Sequence, residues 1–243
     1  MIAVLLFVLP APAGALADAV QRSANWSGYA VHAHRLSFHR VVGRWREPGV
    51  LCLPATNSSS AFWIGLGGVA SQALEQIGTG VNCGPFGNQI AYAWYEMVPR
   101  PPVILTRNAL RVRPGDAISA SVAVDGRRVT VSLDNATRHK RFSRVLHTTA
   151  VDVSTAEWIV EAPSSCVFGR CFTLPLADFH SLTFRSARAQ SRGGHLGSIS
   201  DRTWRRTKIN LLERRVLYAA GAARPSSLRS RGSSFTVTYA RRS

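Results

Sequence analysis

Residues 117–133 read AISASVAVDGRRVTVSL, and polarity alternates from one residue to the next on both sides of a central Asp125-Gly126 pair. Such alternation over four to eight residues is typical of a half-buried strand. An Asp-Gly pair between two alternating runs favours a two-residue hairpin turn. The segment therefore predicts an antiparallel hairpin with strands at 117–124 and 128–133.

The same two-residue rhythm recurs along most of the chain. It predicts further strands at 62–66, 90–97, 181–185 and 235–239, which are rich in β-branched and aromatic residues. Turn-forming segments lie between them, whereas helical periodicity is nearly absent. Residues 210–222 could be drawn as a helix, but Gly221 and the flanking strands argue against it. Many short strands without a repeat or a linker predict one all-β domain, a β-sandwich or jelly roll.

The N-terminus has the composition of an export signal. Residues 1–12 are almost wholly apolar, and both ALA at 15–17 and ADA at 17–19 fit a small-residue cleavage site, although no Lys or Arg precedes the run. A membrane anchor is the alternative, but the run is shorter than the roughly 20 residues that a spanning helix needs. We predict a signal peptide at 1–19 and a single domain at 20–243. The protein is expected to be secreted and extracellular, with no stable membrane insertion after leader cleavage.

Four cysteines remain after such a cleavage: Cys52, Cys83, Cys166 and Cys171. An even, small number in an exported chain predicts two disulfides. Cys166 and Cys171 are close enough in sequence to close a tight loop, which leaves Cys52 to pair with Cys83. A zinc site is the competing interpretation, but there is no CxxC pair and no nearby histidine. We therefore predict no metal.

The chain is strongly basic, with 30 basic and 13 acidic residues and a net charge of +17. Such a balance raises the question of nucleic acid or an anionic surface. The basic residues, all arginine except Lys140 and Lys208, are scattered along strands and loops, and no aromatic RNA-binding signature accompanies them. We predict no specific nucleic-acid partner.

Candidate catalytic carboxylates can be found by elimination because acidic residues are scarce. Glu96, Glu157 and Glu161 each lie in a strand rich in apolar or aromatic residues, where a carboxylate is unfavourable unless it is paired with arginine or held for chemistry. Alternation puts Glu157 and Glu161 on one strand face, and Glu96 on a face with Tyr92 and Trp94. The pattern predicts a cleft with acids and aromatics, without specifying the reaction.

Nucleophilic catalysis by serine or cysteine is disfavoured. The chain has no GxSxG motif, and no Ser or Cys has a recognisable activating context. His32 and His34 alternate on an early strand but lack a third residue with metal-ligand spacing.

Four ordered motifs give the sequence a specific resemblance. They are SANWSGY at 23–29, FWIGLGG at 62–68 followed by LEQIGTG at 74–80, AWYEMVP at 93–99, and AEWIVE at 156–161. Together they resemble the glutamic peptidase (eqolisin) family, in the form of a bacterial-type homologue of the fungal acid endopeptidases. The loop between Cys166 and Cys171 and the closing strand at 235–239 also fit.

The resemblance implies a jelly-roll-like (concanavalin-like) sandwich of two antiparallel sheets and an exported endopeptidase active at acid pH. It implies Gln76 and Glu161 as the catalytic dyad. The residues expected to bind substrate are Trp63, Trp94, Glu96, Tyr92 and Glu157. We expect no cofactor, protein or peptide substrates, and a monomer.

The sequence departs from the fungal members of the family in three respects. Acidic positions that line the fungal site are Gly67 and Tyr92 here, and the chain is basic rather than acidic. If the leader is cleaved as predicted, only a few residues separate it from Asn25, so we expect no long propeptide of the kind the family has. The first two differences bear on the pH optimum and the substrate preference more than on the reaction type.

The implied chemistry is hydrolysis by an activated water. Glu161 would act as a general base and then as a general acid, while Gln76 would orient the water and stabilise the oxyanion. Two other classes remain open from the sequence. One is a jelly-roll glycoside hydrolase that uses Glu96 and Glu161 across a sugar groove. The other is a non-catalytic carbohydrate-binding module with Trp63 and Trp94 as stacking platforms.

Overall fold

The structure is a computed structural model that describes residues 19–32, 37–54, 56–69, 71–167, 170–212 and 221–240, apart from the side chains of residues 166, 167 and 170. The predicted signal peptide therefore lies outside the described residues except for Ala19. No helix among the described residues is long and apolar enough to cross a membrane.

The described chain is built of β-strands and one 3₁₀ helix at Ala136–Arg138. The strands are β1 Ala19–Ser23, β2 Trp26–His32, β3 Phe38–Arg46, β4 Ser59–Gly67, β5 Leu74–Cys83, β6 Gln89–Val98, β7 Val103–Ile104, β8 Ala117–Asp125, β9 Arg128–Asn135, β10 Lys140–His147, β11 Thr155–Glu161, β12 Ser164–Val167, β13 Arg170–Thr173, β14 Ser181–Ser191, β15 Leu196–Ser198, β16 Arg205–Leu211, β17 Ala222–Pro225 and β18 Phe235–Ala240.

Two layers follow from the strand order. The first sheet runs β10-β9-β8-β3-β14, and the second runs β18-β17-β16-β2-β11-β4-β5-β6-β7. Strand β14 belongs to both, because Ser181–Phe184 pair with β18 while later residues pair with β3. The register shifts between Arg185 and Arg188, where Ser186 has a φ of 50°. This irregularity bends the chain from one layer into the other.

The core lies between the two sheets because alternation buries one face of each. Trp158 on β11 is fully buried, and its Nε1 donates across the layers to the carbonyl of Val42 on β3 at 2.8 Å. Trp45 on β3 donates to Thr79 Oγ1 on β5 at 3.1 Å in the same way. Buried indole N–H groups that find an acceptor across the core fix the alignment of the layers. The predicted all-β sandwich is confirmed.

Every predicted strand is present, within β4, β6, β8, β9, β14 and β18. The predicted hairpin pairs Asp125 with Arg128 around a two-residue turn. The chain is extended at Arg205–Leu211 and again at Ala222–Pro225, which agrees with rejecting a helix there, although residues 213–220 lie outside the described part.

The predicted disulfide between Cys52 and Cys83 is confirmed and joins the loop after β3 to the end of β5. Cys171 is disulfide-bonded, and Cys166 is its register partner in the β12–β13 hairpin. The side chain of Cys166 lies outside the described residues, so the pairing of these two stays a prediction.

Candidate active site

The predicted site residues share the outer face of the second sheet, the face turned away from the first sheet. Strand register arranges this face as three rows across β11, β4, β5 and β6. The amide row is Glu157–Gly65–Gln76–Glu96, the tryptophan row is Ile159–Trp63–Gly78–Trp94, and the tyrosine row is Glu161–Ala61–Gly80–Tyr92. Sequence segments far apart along the chain therefore meet on one surface.

Glycines on β5 make room for the aromatic rings of this face. A Cβ at Gly78 would collide with the carbonyl oxygen of Phe62 and lie 2.6 Å from the Cβ of Trp63. A Cβ at Gly80 would lie 2.7 Å from the Tyr92 ring. The Gly-Thr-Gly sequence of β5 thus lets large side chains of neighbouring strands lie directly against its backbone.

Glu161 is held by hydrogen bonds to both oxygens of its carboxyl. Asn25 Nδ2 donates to Oε1 at 3.1 Å, and Trp63 Nε1 donates to Oε2 at 2.8 Å. Trp26, the register partner of Glu161 on β2, packs edge-on against Trp63 with ring centroids 5.1 Å apart. The carboxyl is oriented, yet Glu161 remains partly exposed.

Burial raises the pKa of Glu161 to about 7, although hydrogen bonds from Trp63, Trp26 and Asn25 oppose the shift and the charge of Glu96 adds to it. A carboxyl with a pKa near neutrality can both accept and return a proton in one reaction cycle.

Gln76 is nearly buried, and its amide is oriented by Glu96. Its Nε2 donates to Glu96 Oε2 at 2.6 Å, while its Oε1 has no hydrogen-bond partner. An amide NH₂ has two protons, so one N–H remains for another acceptor. Burial raises the pKa of Glu96, and the bond from Gln76 acts against that shift.

No direct hydrogen bond joins the side chains of Gln76 and Glu161. Along β4 they stand opposite Gly65 and Ala61, on the strands that flank it, with the tryptophan row between them. The charge of Glu96 nevertheless acts on Glu161, so the amide row and the tyrosine row are electrostatically coupled. The convergence of Gln76 and Glu161 on one water stays a prediction.

Glu157 lies on the same strand face as Glu161 but is closed off from solvent. It is 0% exposed, and neither of its carboxyl oxygens has a partner. Burial raises its pKa well above the usual range, because desolvation disfavours the ionised carboxylate. A role in binding substrate stays a prediction for this residue.

The predicted groove residues divide into buried and accessible ones. Trp63 and Trp94 are almost fully buried, and the Trp94 indole donates to the backbone oxygen of Thr79 at 3.1 Å. Tyr92 and Glu96 are partly exposed. The tryptophans therefore form the floor of the face, and the accessible groups stand at its two outer rows.

The three strand glutamates are not structural ion pairs. The ion pairs of the described residues lie at Asp116, Asp178 and Asp201 instead. In the same part of the chain, no group of His, Cys, Asp and Glu could hold a metal ion. The face thus combines unpaired carboxyls with an amide.

Two residues of the site, Asn25 and Trp26, were not predicted as site residues. Both belong to the opening motif at 23–29, but their role depends on the pairing of β2 with β11. A periodic pattern gives the face of each strand and not its neighbour in the sheet, so the motif alone could not reveal that they hold Glu161.

A sequence profile described as the peptidase A4 family matches residues 24–225. The chain belongs to the peptidase A4 family. It is therefore a peptide-bond hydrolase, and the alternatives of a glycoside hydrolase and a carbohydrate-binding module fall away. No curated protein matches the chain in sequence.

Solved structures agree with this assignment. The chain is similar to scytalido-glutamic peptidase with a transition state analog inhibitor, at 19% identity and a TM-score of 0.72, over 89% of this chain and 98% of that one. The same peptidase with a peptide-based transition state analog gives 20% identity, a TM-score of 0.67 and the same coverage. The chain is also similar to SCP-B, a member of the eqolisin family in a complex with the tripeptide Ala-Ile-His. The identity is 19% and the TM-score is 0.70, over 89% of this chain and 98% of that one. At these identities the likeness shows the fold, and the predicted eqolisin sandwich is confirmed.

Proposed function

We propose that this member of the peptidase A4 family is a secreted glutamic endopeptidase in which Gln76 and Glu161 activate a water molecule and stabilise the tetrahedral intermediate. One observation carries the proposal. Glu161 is an oriented, partly exposed carboxyl with a pKa of about 7, on the same sheet face as a buried amide that has a free oxygen.

Glu161 supplies the proton transfers. Its carboxylate takes a proton from water as the water oxygen attacks the peptide carbonyl carbon. It then returns that proton to the amide nitrogen as the C–N bond breaks, leaving a carboxyl and an amine. A positioned base and acid of this kind contributes about 10²–10⁴-fold in rate.

Gln76 supplies an amide, which can both donate and accept hydrogen bonds, whereas an ionised carboxylate can only accept them. Its free Oε1 accepts a hydrogen bond from the attacking water, and its remaining N–H donates to the oxygen that becomes negative. Removal of one such donor typically costs about 10²–10³-fold in kcat. Glu96 acts as a positioning residue, because its bond to Nε2 fixes which way the amide faces.

The pKa of Glu161 determines how the proposed activity should depend on pH. A carboxylate that acts first as a base loses activity as the pH falls below its pKa, which burial raises to about 7. The resemblance to the fungal enzymes implies activity at acid pH, whereas a base with this pKa predicts that kcat/KM is highest near neutral pH and declines as the pH falls below about 7. An optimum at strongly acid pH would mean that Glu161 enters the reaction protonated.

The substrate is proposed to be an extended segment of an unfolded protein. Two structurally similar peptidases carry a peptide-based transition state analog and a tripeptide. Secretion, a monomeric state and the lack of a nucleic-acid partner remain part of the proposal. Export predicts that the protein in the culture medium begins near Ala19, which N-terminal sequencing would test.

Digestion of a denatured protein from acid to neutral pH tests the function. We expect Gln76→Ala and Glu161→Gln each to abolish cleavage while the melting temperature stays near that of the wild type. Glu157→Gln, on the same strand face, is the matched control and should reduce activity without removing it. Near-wild-type cleavage by either dyad variant would show that the assignment is wrong.

A further inference from the structure

A cavity of about 430 Å³ lies beside the tyrosine row, between the start of β6, strand β7 and the segment 105–114. Its apolar walls include Ile90 and Ile104, which are 47% and 53% exposed. Tyr92, a member of the tyrosine row, is also part of its lining. The cavity therefore shares a wall with the proposed active site.

Three exposed arginines, Arg107, Arg111 and Arg113, line the same cavity. The guanidinium of Arg113 lowers the pKa of Arg111, with burial and the charges of Arg138 and Arg107 adding to the effect. These cations are close enough to repel one another. The geometry thus concentrates positive charge around the cavity that Tyr92 also lines.

This charge has little compensation from within the described residues. Asp116 is the acid that acts on Arg111, but its Oδ2 already accepts from Arg138 Nε at 2.7 Å and from Asn135 Nδ2 at 2.8 Å. No carboxylate of the described chain lies within ion-pair distance of Arg107, Arg111 or Arg113. An anionic ligand would therefore relieve the repulsion.

The sheet edge next to the cavity has only the short strand β7 as a partner in the described chain. Strand β7 pairs only with Trp94 and Tyr95 of β6. Directly after β7, the backbone N–H of Leu105 donates to the backbone oxygen of Ala93 at 2.8 Å. The described chain places no strand beside the earlier part of β6 on that side. A peptide that crosses the sheet face along the tyrosine row therefore reaches the cavity without meeting a further strand of the described chain.

The distance between Glu161 and the cavity determines which substrate residue would bind in the cavity when the scissile bond lies at Glu161. Tyr92 stands three strands from Glu161 along the tyrosine row. At about 4.8 Å per strand this is about 14 Å, or about four residues of extended peptide.

We infer that this cavity is a specificity subsite for an acidic side chain of the substrate, about four residues from the cleaved bond. The inference rests on the proposed function. Arginine binds carboxylates with planar, paired N–H donors, and the isoleucines contact the methylene carbons of the bound Asp or Glu. The basic charge of the chain thereby acts in substrate selection.

Matched peptides test the subsite. Each carries one Glu or one Gln at a single position between about three and five residues from the cleaved bond, on either side. We expect kcat/KM to be about three- to tenfold higher for Glu at one position, as for a few exposed arginine–carboxylate pairs. The triple variant Arg107→Gln, Arg111→Gln, Arg113→Gln should bring that ratio to about one and still cleave the Gln peptides.

The control removes equal charge elsewhere. Arg40, Arg44 and Arg188 are exposed on the outer face of the first sheet, and their joint replacement by Gln should leave the ratio unchanged. A ratio of one for the wild type at every position, or an equal loss in the control, would overturn the subsite.

Binding separates the subsite from catalysis. Fluorescence anisotropy of the same labelled peptides on Glu161→Gln should give the same Glu preference. If the wild type cleaves no peptide, the proposed function fails, whereas this binding ratio still decides the subsite.

Discussion

Glu157 and Glu161 lie on the same face of β11, yet only Glu161 is partly exposed and held by hydrogen-bond donors. Sequence alternation made them equivalent candidates because it reports the face and not the depth of a side chain. The resemblance to the family selected Glu161, and the burial of Glu157 gives an independent reason for the same choice. Burial and hydrogen bonding thus distinguish Glu161 from Glu157, which the alternating sequence pattern cannot do.

Trp63 tunes the pKa of Glu161 through its indole N–H. Trp63→Phe removes that donor, so the pKa of Glu161 should rise further and the low-pH limb of kcat/KM should move to higher pH. The pH profile of peptide cleavage measures this shift. Trp94→Phe is the matched control, since its indole bonds the oxygen of Thr79. An unchanged limb in Trp63→Phe would show that the indole does not act on the catalytic carboxyl.

At the scale of elements, the strands were predictable and their neighbours were not. Segments such as 117–124 and 128–133 carry their own alternation and turn, so local sequence was enough to predict β8 and β9. The pairing of β2 with β11, and the division of β14 between two sheets, depend on contacts between distant segments. The site was therefore predictable as motifs, whereas the bonds from Asn25 to Glu161 and from Gln76 to Glu96 were not.

Strand β5 depends on glycine at its centre. Gly78→Ala would push a Cβ against the Phe62 carbonyl and the Cβ of Trp63, which are backbone or close to it and cannot move freely. We expect a loss of about 1–3 kcal/mol in the free energy of unfolding, typical of overpacking. Urea unfolding measures it. Gly49→Ala, where the nearest atom would be 4.0 Å away, should have little effect, and equal losses in both would contradict the account.

On the scale of the whole molecule, buried carboxyls make stability depend on pH. Burial raises the pKa of Glu47 and of Glu75 to about 8, from an ordinary value of 4.5. Both are 1% exposed, and each has a carboxyl oxygen without a partner. The folded state therefore binds these protons more tightly than the unfolded chain. Their stabilising effect is complete below about pH 4.5 and is lost as the pH rises through about 8.

Asp116 and Asp152 act in the opposite direction. Burial would raise the pKa of each, but hydrogen bonds outweigh it and hold the pKa below 3.8. Their contribution is present above that range and is lost as the pH falls through the lowered values. Maximum stability is therefore expected between the two ranges, at about pH 4–5.

The melting temperature should decrease from that maximum toward pH 8. Each buried glutamate contributes up to about 1.4 kcal/mol per pH unit to the free energy of unfolding. Thermal unfolding at a series of pH values measures the slope, and Glu47→Gln should make it shallower. A melting temperature that rises steadily from weakly acid pH to pH 8 would contradict these assignments.

The interdependence of Gln76 and Glu161 is tested most directly by a double-mutant cycle on kcat/KM, with Gln76→Ala, Glu161→Gln and the pair in a sensitive fluorogenic peptide assay. When two residues act on the same water, removing either one already abolishes most of their joint effect on the rate. The kcat/KM of the double variant should therefore be no lower than that of the slower single variant. Losses that multiply, or near-wild-type cleavage by either single variant, would contradict a shared catalytic step.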